Sequence, residues 1–157
     1  SALVDFDPEL WKLVLHVNLV TPAPLTKTVL LNMTERRAGK VAIISSIGET
    51  RGGAGRSAYR AAKAGLINLT ESVAAEVKEF GIDVTCICPG ATDTEGFRSA
   101  FDHGGRQQDA NLMAPQEIAE LALFLASGKA SAITGTAINE FGATNPIFQS
   151  GAQKGKI

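Results

Sequence analysis

The sequence predicts an α/β fold in which a mainly parallel sheet lies between two layers of helices. Three short apolar runs have the length and the β-branched content of buried strands, at residues 41–44, 82–88 and 133–141. Longer segments with helical periodicity separate these runs, and strands that alternate with helices pair in parallel. The 157 residues are 45% apolar and 20% charged, which predicts a single globular domain over residues 1–157.

The charge distribution limits the classes of partner. The net charge is −1, and basic and acidic residues are mixed along the chain, so the sequence offers no basic stripe for nucleic acid. No apolar run approaches the ~20 residues of a membrane helix, and the first residues lack the basic and apolar regions of a signal peptide. We therefore expect a cytoplasmic protein that binds small molecules and other subunits rather than membrane or nucleic acid.

The first helical segment begins after Asp7, a predicted N-cap, with Pro8 at the first helical position. The segment is apolar over much of its circumference, which predicts burial on one side and a partner on another. Pro22 and Pro24 should kink or loosen it before the helical pattern resumes. Asn18 interrupts the apolar surface. From the residues alone, one interpretation is a buried amide satisfied by a carbonyl that the kink frees.

A glycine-rich turn and a long helix follow the first predicted strand. The turn does not show the phosphate-binding pattern G-x-G-x-x-G between a strand and a helix start, so we interpret it as a loop on the substrate side. Ser57 is the predicted cap of the helix, which should run to about Phe80 and end at a left-handed Gly81. The small residues of this helix suit either close packing on the sheet or a close approach of another helix.

Tyr59 and Lys63 lie four residues apart in this helix, which places both side chains on one face. A free tyrosine has a pKa near ~10, and a nearby ammonium favours the phenolate and lowers that pKa. Tyr59 is therefore a predicted proton donor and acceptor. Ser46, at the carboxyl end of the first strand, would hold the oxygen of a substrate. This set of residues predicts carbonyl reduction or alcohol oxidation.

The second half of the chain contains two cysteines but no clear pattern of catalytic or metal-binding residues. Cys86 and Cys88 are two positions apart in the second predicted strand, so they share a face without disulfide geometry. With two histidines in the whole sequence we expect no metal site.

Residues 95–111 are polar and lack periodicity, which predicts a mobile flap over the substrate. Residues 115–126 are a predicted amphipathic helix and residues 145–157 an extended tail.

The ordered motifs resemble the short-chain dehydrogenase/reductase family. They are Y-x-x-x-K at Tyr59 and Lys63, I-S-S ending the first strand at Ser46, thirteen positions before Tyr59, P-G-A-T-D-T after the second strand, V-N-L around Asn18 and I-T-G-T-A-I-N near the end. A lone Y-x-x-x-K occurs by chance in many helices, whereas five ordered landmarks at compatible separations are specific. The resemblance covers nearly the whole chain. It implies a doubly wound, Rossmann-like fold and an oxidoreductase that transfers a hydride between NAD or NADP and a carbonyl or alcohol.

The resemblance also implies roles that periodicity leaves open. Asn18 would hold a water in a proton relay to Lys63, and Lys63 would also bind the cofactor ribose. The implied cofactor contacts are Tyr59, Lys63, Pro89, Gly90, Thr92 and Thr94. Of these, Thr94 would contact the carboxamide or the phosphates. Members of the family form homo-oligomers through the helices that correspond to residues 8–36 and 57–80 here.

Two features of the family pattern do not occur in this sequence. The glycine-rich fingerprint that anchors the pyrophosphate is missing, as is the second-strand residue that selects NAD or NADP. The sequence thus predicts a catalytic half without the cofactor-anchoring half, which we interpret as a fragment of a longer reductase. One alternative is a remnant or assembly module that pairs with another chain to cover an exposed edge strand. Another is a hydrolase using Ser46, although the elbow G-x-S-x-G is absent.

Overall fold

The computed structural model describes residues 2–47, 55–101 and 112–142. The helices are α1 (Pro8–Leu15), α2 (Pro22–Glu35), α3 (Ser57–Val77), α4 (Glu95–Phe101) and α5 (Pro115–Ala126), and the strands are β1 (Gly39–Ile44), β2 (Ile82–Pro89) and β3 (Thr136–Glu140). A π-helical turn, His16–Val20, joins α1 to α2. Short 3-10 turns occur at Leu3–Asp5, Lys78–Phe80 and Gly128–Ala130.

The three strands form one parallel sheet in the order β1-β2-β3. Val41 lies beside Val84 in the first pair, and Ile87 lies beside Ile138 in the second. Parallel neighbours require crossover connections, and α3 and α5 lie within the two crossovers. The predicted α/β fold with a parallel sheet is confirmed.

Helices cover both faces of the central strand, because successive residues of a strand point to opposite faces. On one face Ile82 and Val84 are fully buried in a cluster with Leu66 of α3. On the other face Ile87 packs with Leu125 of α5. Burial of each such side chain contributes about 1.5–3 kcal/mol. The chain therefore has three layers, and the carboxyl end of the sheet is held between them.

Two of the three predicted helix boundaries are confirmed at their caps. The carboxylate of Asp7 accepts a hydrogen bond from the backbone N–H of Glu9 at 2.9 Å. Gly81 follows the 3-10 turn Lys78–Phe80 at the end of α3 and has a φ of +67°. The predicted cap role of Ser57 is wrong, because Arg56 occupies the N-cap position. The Ser57 hydroxyl instead accepts a hydrogen bond from Trp11 Nε1 at 3.4 Å.

The predicted interruption near Pro22 takes the form of the π-helical turn. The N–H of Thr21 donates to the carbonyl of His16, five residues back, at 2.9 Å. Because Pro22 has no N–H, the carbonyl of Asn18 loses its regular helical donor. Insertions of this kind are frequent at functional sites.

Residues 95–101 differ from the prediction, since they form α4 rather than an irregular flap. The Thr94 hydroxyl accepts a hydrogen bond from the N–H of Phe97 at 3.1 Å. Arg98 forms a two-point ion pair with Asp93, with N–O distances of 2.6 and 2.8 Å. These local contacts stabilise a helix that is too short to show periodicity.

The third strand is shorter than predicted. It begins at Thr136, because Gly135 has a φ of +63° and breaks the extended backbone before it. The predictions for the rest of the flap, the glycine-rich turn and the tail concern residues 102–111, 48–54 and 145–157, which lie outside the described residues.

The outer face of α1, the π-helical turn and α2 is apolar. Its exposed side chains are Leu10, Leu13, Val17, Val20, Leu25, Val29 and Leu31. The stretch Pro8–Glu35 is 28 residues long and contains an 18-residue window with a mean hydropathy of 1.2, so by length and composition alone it could cross a membrane. This is weak evidence, because core helices and signal sequences pass the same test. Leu19, Leu30 and Met33 pack on the core, so the segment has one core face and one apolar outer face, as its sequence predicts.

Candidate active site

The carboxyl ends of β1 and β2 and the start of α3 frame a cavity of about 750 Å³. Ligands of open parallel sheets bind at this edge, and the volume lies in the range of small-molecule sites. Six of the eight predicted site residues line the cavity: Ser46, Tyr59, Pro89, Gly90, Thr92 and Thr94. The other two, Asn18 and Lys63, are not among its described lining residues.

Lys63 lies beside Tyr59, as their spacing in α3 predicts. Its Nζ atom is 5.7 Å from the centre of the Tyr59 ring. The same ammonium donates a hydrogen bond to the carbonyl of Ile44, the last residue of β1, at 3.0 Å. The end of the strand therefore holds the ammonium next to the ring. Both side chains are half-buried, which weakens screening of the charge by water.

Ser45 joins β1 to α3 behind the cavity, a role that the sequence analysis missed. Its side chain is buried, and its Oγ donates a hydrogen bond to the carbonyl of Lys63 at 2.9 Å. Its N–H donates to the carbonyl of Ile87 on β2 at 2.7 Å. Alternation along the strand turns Ser45 toward α3, and the next residue, Ser46, lines the cavity. The adjacent serines Ser45 and Ser46 were the only sequence feature from which this role could have been predicted.

Asn18 lies in the π-helical turn, which packs against α3. Its Nδ2 donates a hydrogen bond to the carbonyl of Val14 at 3.0 Å, so one N–H of the amide is satisfied within its own helical segment, by a carbonyl other than the one that Pro22 frees. Gly65 of α3 makes the close approach possible, since a Cβ there would lie 2.9 Å from both methyl groups of Leu19. The relay role of Asn18 stays a prediction.

The turn after β2 is closely packed under the cavity. The N–H of Gly90 donates to the carbonyl of Glu140 at 2.8 Å. A Cβ at Gly90 would lie 3.0 Å from that oxygen and 3.1 Å from Ile47 Cδ1. The Thr92 hydroxyl donates to the carbonyl of Gly90 at 3.0 Å. These bonds fix the backbone of the turn at the cavity wall.

Two thiols lie in the core of β2 near the site. Cys86 and Cys88 are fully buried, and their Sγ atoms are 3.9 Å apart, beyond the length of a disulfide. The hydrogen bond between them lowers the pKa of Cys86 and raises that of Cys88, whose burial raises it further. The fold therefore favours the thiolate at Cys86 over that at Cys88.

Glu140 is an unusual carboxylate at the end of β3. Its Oε2 atom is buried and has no hydrogen-bond partner among the described residues. Burial raises the pKa of the carboxyl group, and the nearby charge of Glu117 raises it further. Both effects stabilise the neutral form of this acid relative to that of an exposed glutamate.

The lining residues fit the nicotinamide end of a dinucleotide. Ile47, Pro89 and Phe97 supply apolar surface for a flat ring. The hydroxyl groups of Ser46 and Thr92 supply hydrogen-bonding partners at the same wall. Among the described residues, no group of three or more His, Cys, Asp or Glu side chains is placed to hold a metal ion.

Comparison with known proteins gives consistent matches. A family model described as Enoyl-(Acyl carrier protein) reductase matches residues 1–140. A 3-oxoacyl-(acyl-carrier-protein) reductase, FabG, from Vibrio harveyi is 35% identical over 144 residues, which is 88% of this chain and 59% of the relative. The dehydrogenase/reductase SDR family member 6 of Danio rerio is 32% identical over 150 residues, 88% of this chain and 61% of the relative. The chain thus spans about three fifths of these relatives.

Solved structures agree with these matches. The F189W variant of an actinorhodin polyketide ketoreductase, solved with NADPH, superposes with a TM-score of 0.86 at 28% identity, over 93% of this chain and 62% of that one. A short chain dehydrogenase/reductase family protein superposes with a TM-score of 0.83 at 29% identity, over 92% of this chain and 62% of that one.

Proposed function

The chain belongs to the short-chain dehydrogenase/reductase family, and from that membership we propose that it carries the catalytic residues of an NAD(P)-dependent oxidoreductase acting on a carbonyl or alcohol. One observation carries the proposal. Ser46 and Tyr59 line a single cavity, and the ammonium of Lys63 lies 5.7 Å from the Tyr59 ring. The curated relatives and the ketoreductase structure support the same reaction class.

Each residue has a distinct part in the proposed reaction. In the reducing direction the Ser46 hydroxyl donates a hydrogen bond to the substrate carbonyl oxygen, and the Tyr59 hydroxyl transfers its proton to that oxygen. The phenolate left on Tyr59 is stabilised by the positive charge of Lys63. Ser45 acts as a positioning residue, since it ties Lys63 to the end of β1. Asn18 would return the proton through a bound water.

The cofactor would lie along the turn after β2. Pro89, Gly90, Thr92 and Thr94 would line the nicotinamide pocket, and Lys63 would bind the ribose. A bound nicotinamide supplies the hydride of the reaction. We further propose that a cofactor-anchoring half, in the same polypeptide or in another chain, completes the site, because the matched relatives extend well beyond the aligned region.

The outer face of α1 and α2 supports a homo-oligomer through residues 8–36 and 57–80. This face carries the exposed Leu10, Leu13 and Val17 within one stripe. Such a patch favours contact with a second subunit over contact with water.

Cofactor binding tests the proposal. The full-length protein is titrated with NADPH and, separately, with NADH while nicotinamide fluorescence is followed and native mass is measured in the same sample. We expect saturable binding, which Gly90→Ala weakens because the added Cβ displaces the wall of the site. Gly128→Ala is the matched control, since a Cβ there meets nothing within 4 Å. A folded protein that binds neither nucleotide would favour the assembly module instead.

A further inference from the structure

We propose that Met113 is a positioning residue for the cofactor, and that it acts by supporting the cavity wall at Gly90. The inference rests on the proposed function, which places the nicotinamide along the turn after β2. Met113 is not among the described residues that line the cavity. We therefore expect it to influence cofactor binding only through the backbone of the turn.

Two backbone hydrogen bonds attach Met113 to the turn after β2. Its N–H donates to the carbonyl of Ala91 at 3.0 Å, and its carbonyl accepts from the N–H of Asp93 at 2.8 Å. These bonds form an isolated parallel bridge between Met113 and Thr92. Because Ala91 and Thr92 line the cavity, Met113 is bonded directly to the wall.

The side chain of Met113 fills the space between this turn and the end of β3. The residue is buried, with 5% of its surface exposed. A Cβ at Gly142 would lie 2.5 Å from Met113 Cγ and 3.1 Å from its Sδ, and a Cβ at Gly90 would lie 3.4 Å from its Cε. The side chain therefore extends from Gly142 toward Gly90, through space that two glycines leave open.

The position of Gly90 depends on this packing. Its N–H donates to the carbonyl of Glu140 at 2.8 Å, and both that oxygen and the Met113 methyl group lie within 3.4 Å of the point where a Cβ of Gly90 would be. A shorter side chain at position 113 would leave a cavity, into which the surrounding structure relaxes in part. The wall would then shift, and a binding site whose supporting residues are removed loses its preorganised geometry.

Met113→Val is the most specific test. Valine keeps carbon atoms at the Cγ level, near Gly142, and removes the Sδ and methyl group that reach toward Gly90. In titrations of the full-length protein with NADPH and with NADH, we expect about tenfold weaker binding, which corresponds to about 1.4 kcal/mol. Met113→Ala should weaken binding at least as much. Met113→Leu, which nearly conserves the volume, should bind within about threefold of the unmodified protein.

The second methionine of the sequence supplies a matched control. Met33 packs against Gly39 at the amino end of β1, whereas Met113 packs at the carboxyl end of the sheet. Met33→Ala and Met113→Ala should both lower the midpoint of urea unfolding, because each removes buried apolar volume. Only Met113→Ala should weaken nucleotide binding. A loss of affinity that merely accompanies lower stability would occur in both variants.

Hydrogen exchange gives a readout that needs no nucleotide. The amides of Gly90 and Asp93 are bonded to the carbonyls of Glu140 and Met113. In Met113→Val they should exchange about tenfold faster relative to amides at the centre of β2, because the turn opens more often when its support is lost. In Met33→Ala their relative rates should not change.

The outcomes separate this inference from the proposed function. Faster exchange at the turn together with weaker nucleotide binding, both restored in Met113→Leu, supports the inference. Unchanged exchange at Gly90 and Asp93 overturns it, as does unchanged affinity in Met113→Val and Met113→Ala. If the unmodified protein binds neither nucleotide, the proposed function is overturned, and the exchange rates still decide whether Met113 supports the turn.

Discussion

Replacing Lys63 with methionine should shift the ionisation of Tyr59 to higher pH. Lys63→Met keeps a long apolar side chain in α3 and removes the ammonium that lies 5.7 Å from the ring centre. It also removes the hydrogen bond to the carbonyl of Ile44. The phenolate loses a neighbouring positive charge, so the neutral phenol becomes relatively more stable.

The size of the shift follows from Coulomb's law. The distance of 5.7 Å from Nζ to the ring centre gives the scale of the separation between the ammonium and a phenolate charge spread over the oxygen and the ring. Two unit charges about 6 Å apart interact by about 0.7 kcal/mol at the dielectric constant of water and by about 3 kcal/mol at an effective value near 20. Since 1.36 kcal/mol corresponds to one pH unit, the expected shift is roughly half a unit to two units. The half-buried position of both side chains favours the upper part of this range.

The chain offers a direct assay, because Tyr59 is its only tyrosine. Tyrosinate ultraviolet absorbance therefore reports this residue alone, and circular dichroism in the same titration separates ionisation from unfolding. Lys78→Met is the matched control: it makes the same charge change at the far end of the same helical segment, roughly 28 Å from Tyr59 at about 1.5 Å per residue. Equal midpoints for Lys63→Met and Lys78→Met would refute the electrostatic role of Lys63.

Two further predictions concern stability. Gly81→Ala should lower the free energy of unfolding by about 1–2 kcal/mol in urea titrations, because φ is +67° and the new Cβ would lie 3.0 Å from the carbonyl of Arg37. Gly128→Ala is the control and should change the free energy of unfolding little, since a Cβ there meets nothing within 4 Å. An equal loss of stability in the two variants would contradict the role of the left-handed backbone at Gly81. Glu140→Gln should raise the free energy of unfolding by about 1 kcal/mol at roughly pH 7 but not below the ordinary carboxyl pKa of 4.5. The sign follows because a folded-state pKa that is raised gives stability at low pH that is lost as the group ionises. A benefit of the same size at both pH values would contradict that reasoning.

Local patterns were sufficient to predict several elements. The helix at residues 115–126 has the predicted bounds, because Pro115 occupies its first position and its apolar residues repeat with helical spacing. Asp7 was identifiable as a cap for a similar reason, since its effect is confined to the next turn. The spacing of Tyr59 and Lys63 likewise determines that they share a helix face.

Contacts between distant segments were not predictable in the same way. The bond from Ser45 to the Lys63 carbonyl and the burial of Glu140 depend on which strand ends and helices meet. Helix α4 has seven residues, too few to show periodicity, and its capping depends on the orientation of Thr94. The hydrogen bond from Trp11 Nε1 to the Ser57 hydroxyl also requires the tertiary fold, because the two residues are 46 positions apart in sequence.

The most direct test of the catalytic assignment is turnover of a carbonyl substrate by the full-length protein and by Tyr59→Phe, Ser46→Ala and the double variant. General acid catalysis contributes roughly 10²–10⁴-fold, so Tyr59→Phe should lower kcat by that factor with its fold intact. The kcat of the double variant should be only slightly below that of the less active single variant, because both hydroxyl groups act on one substrate oxygen. Turnover by Tyr59→Phe within about threefold of the unmodified protein would contradict the assignment.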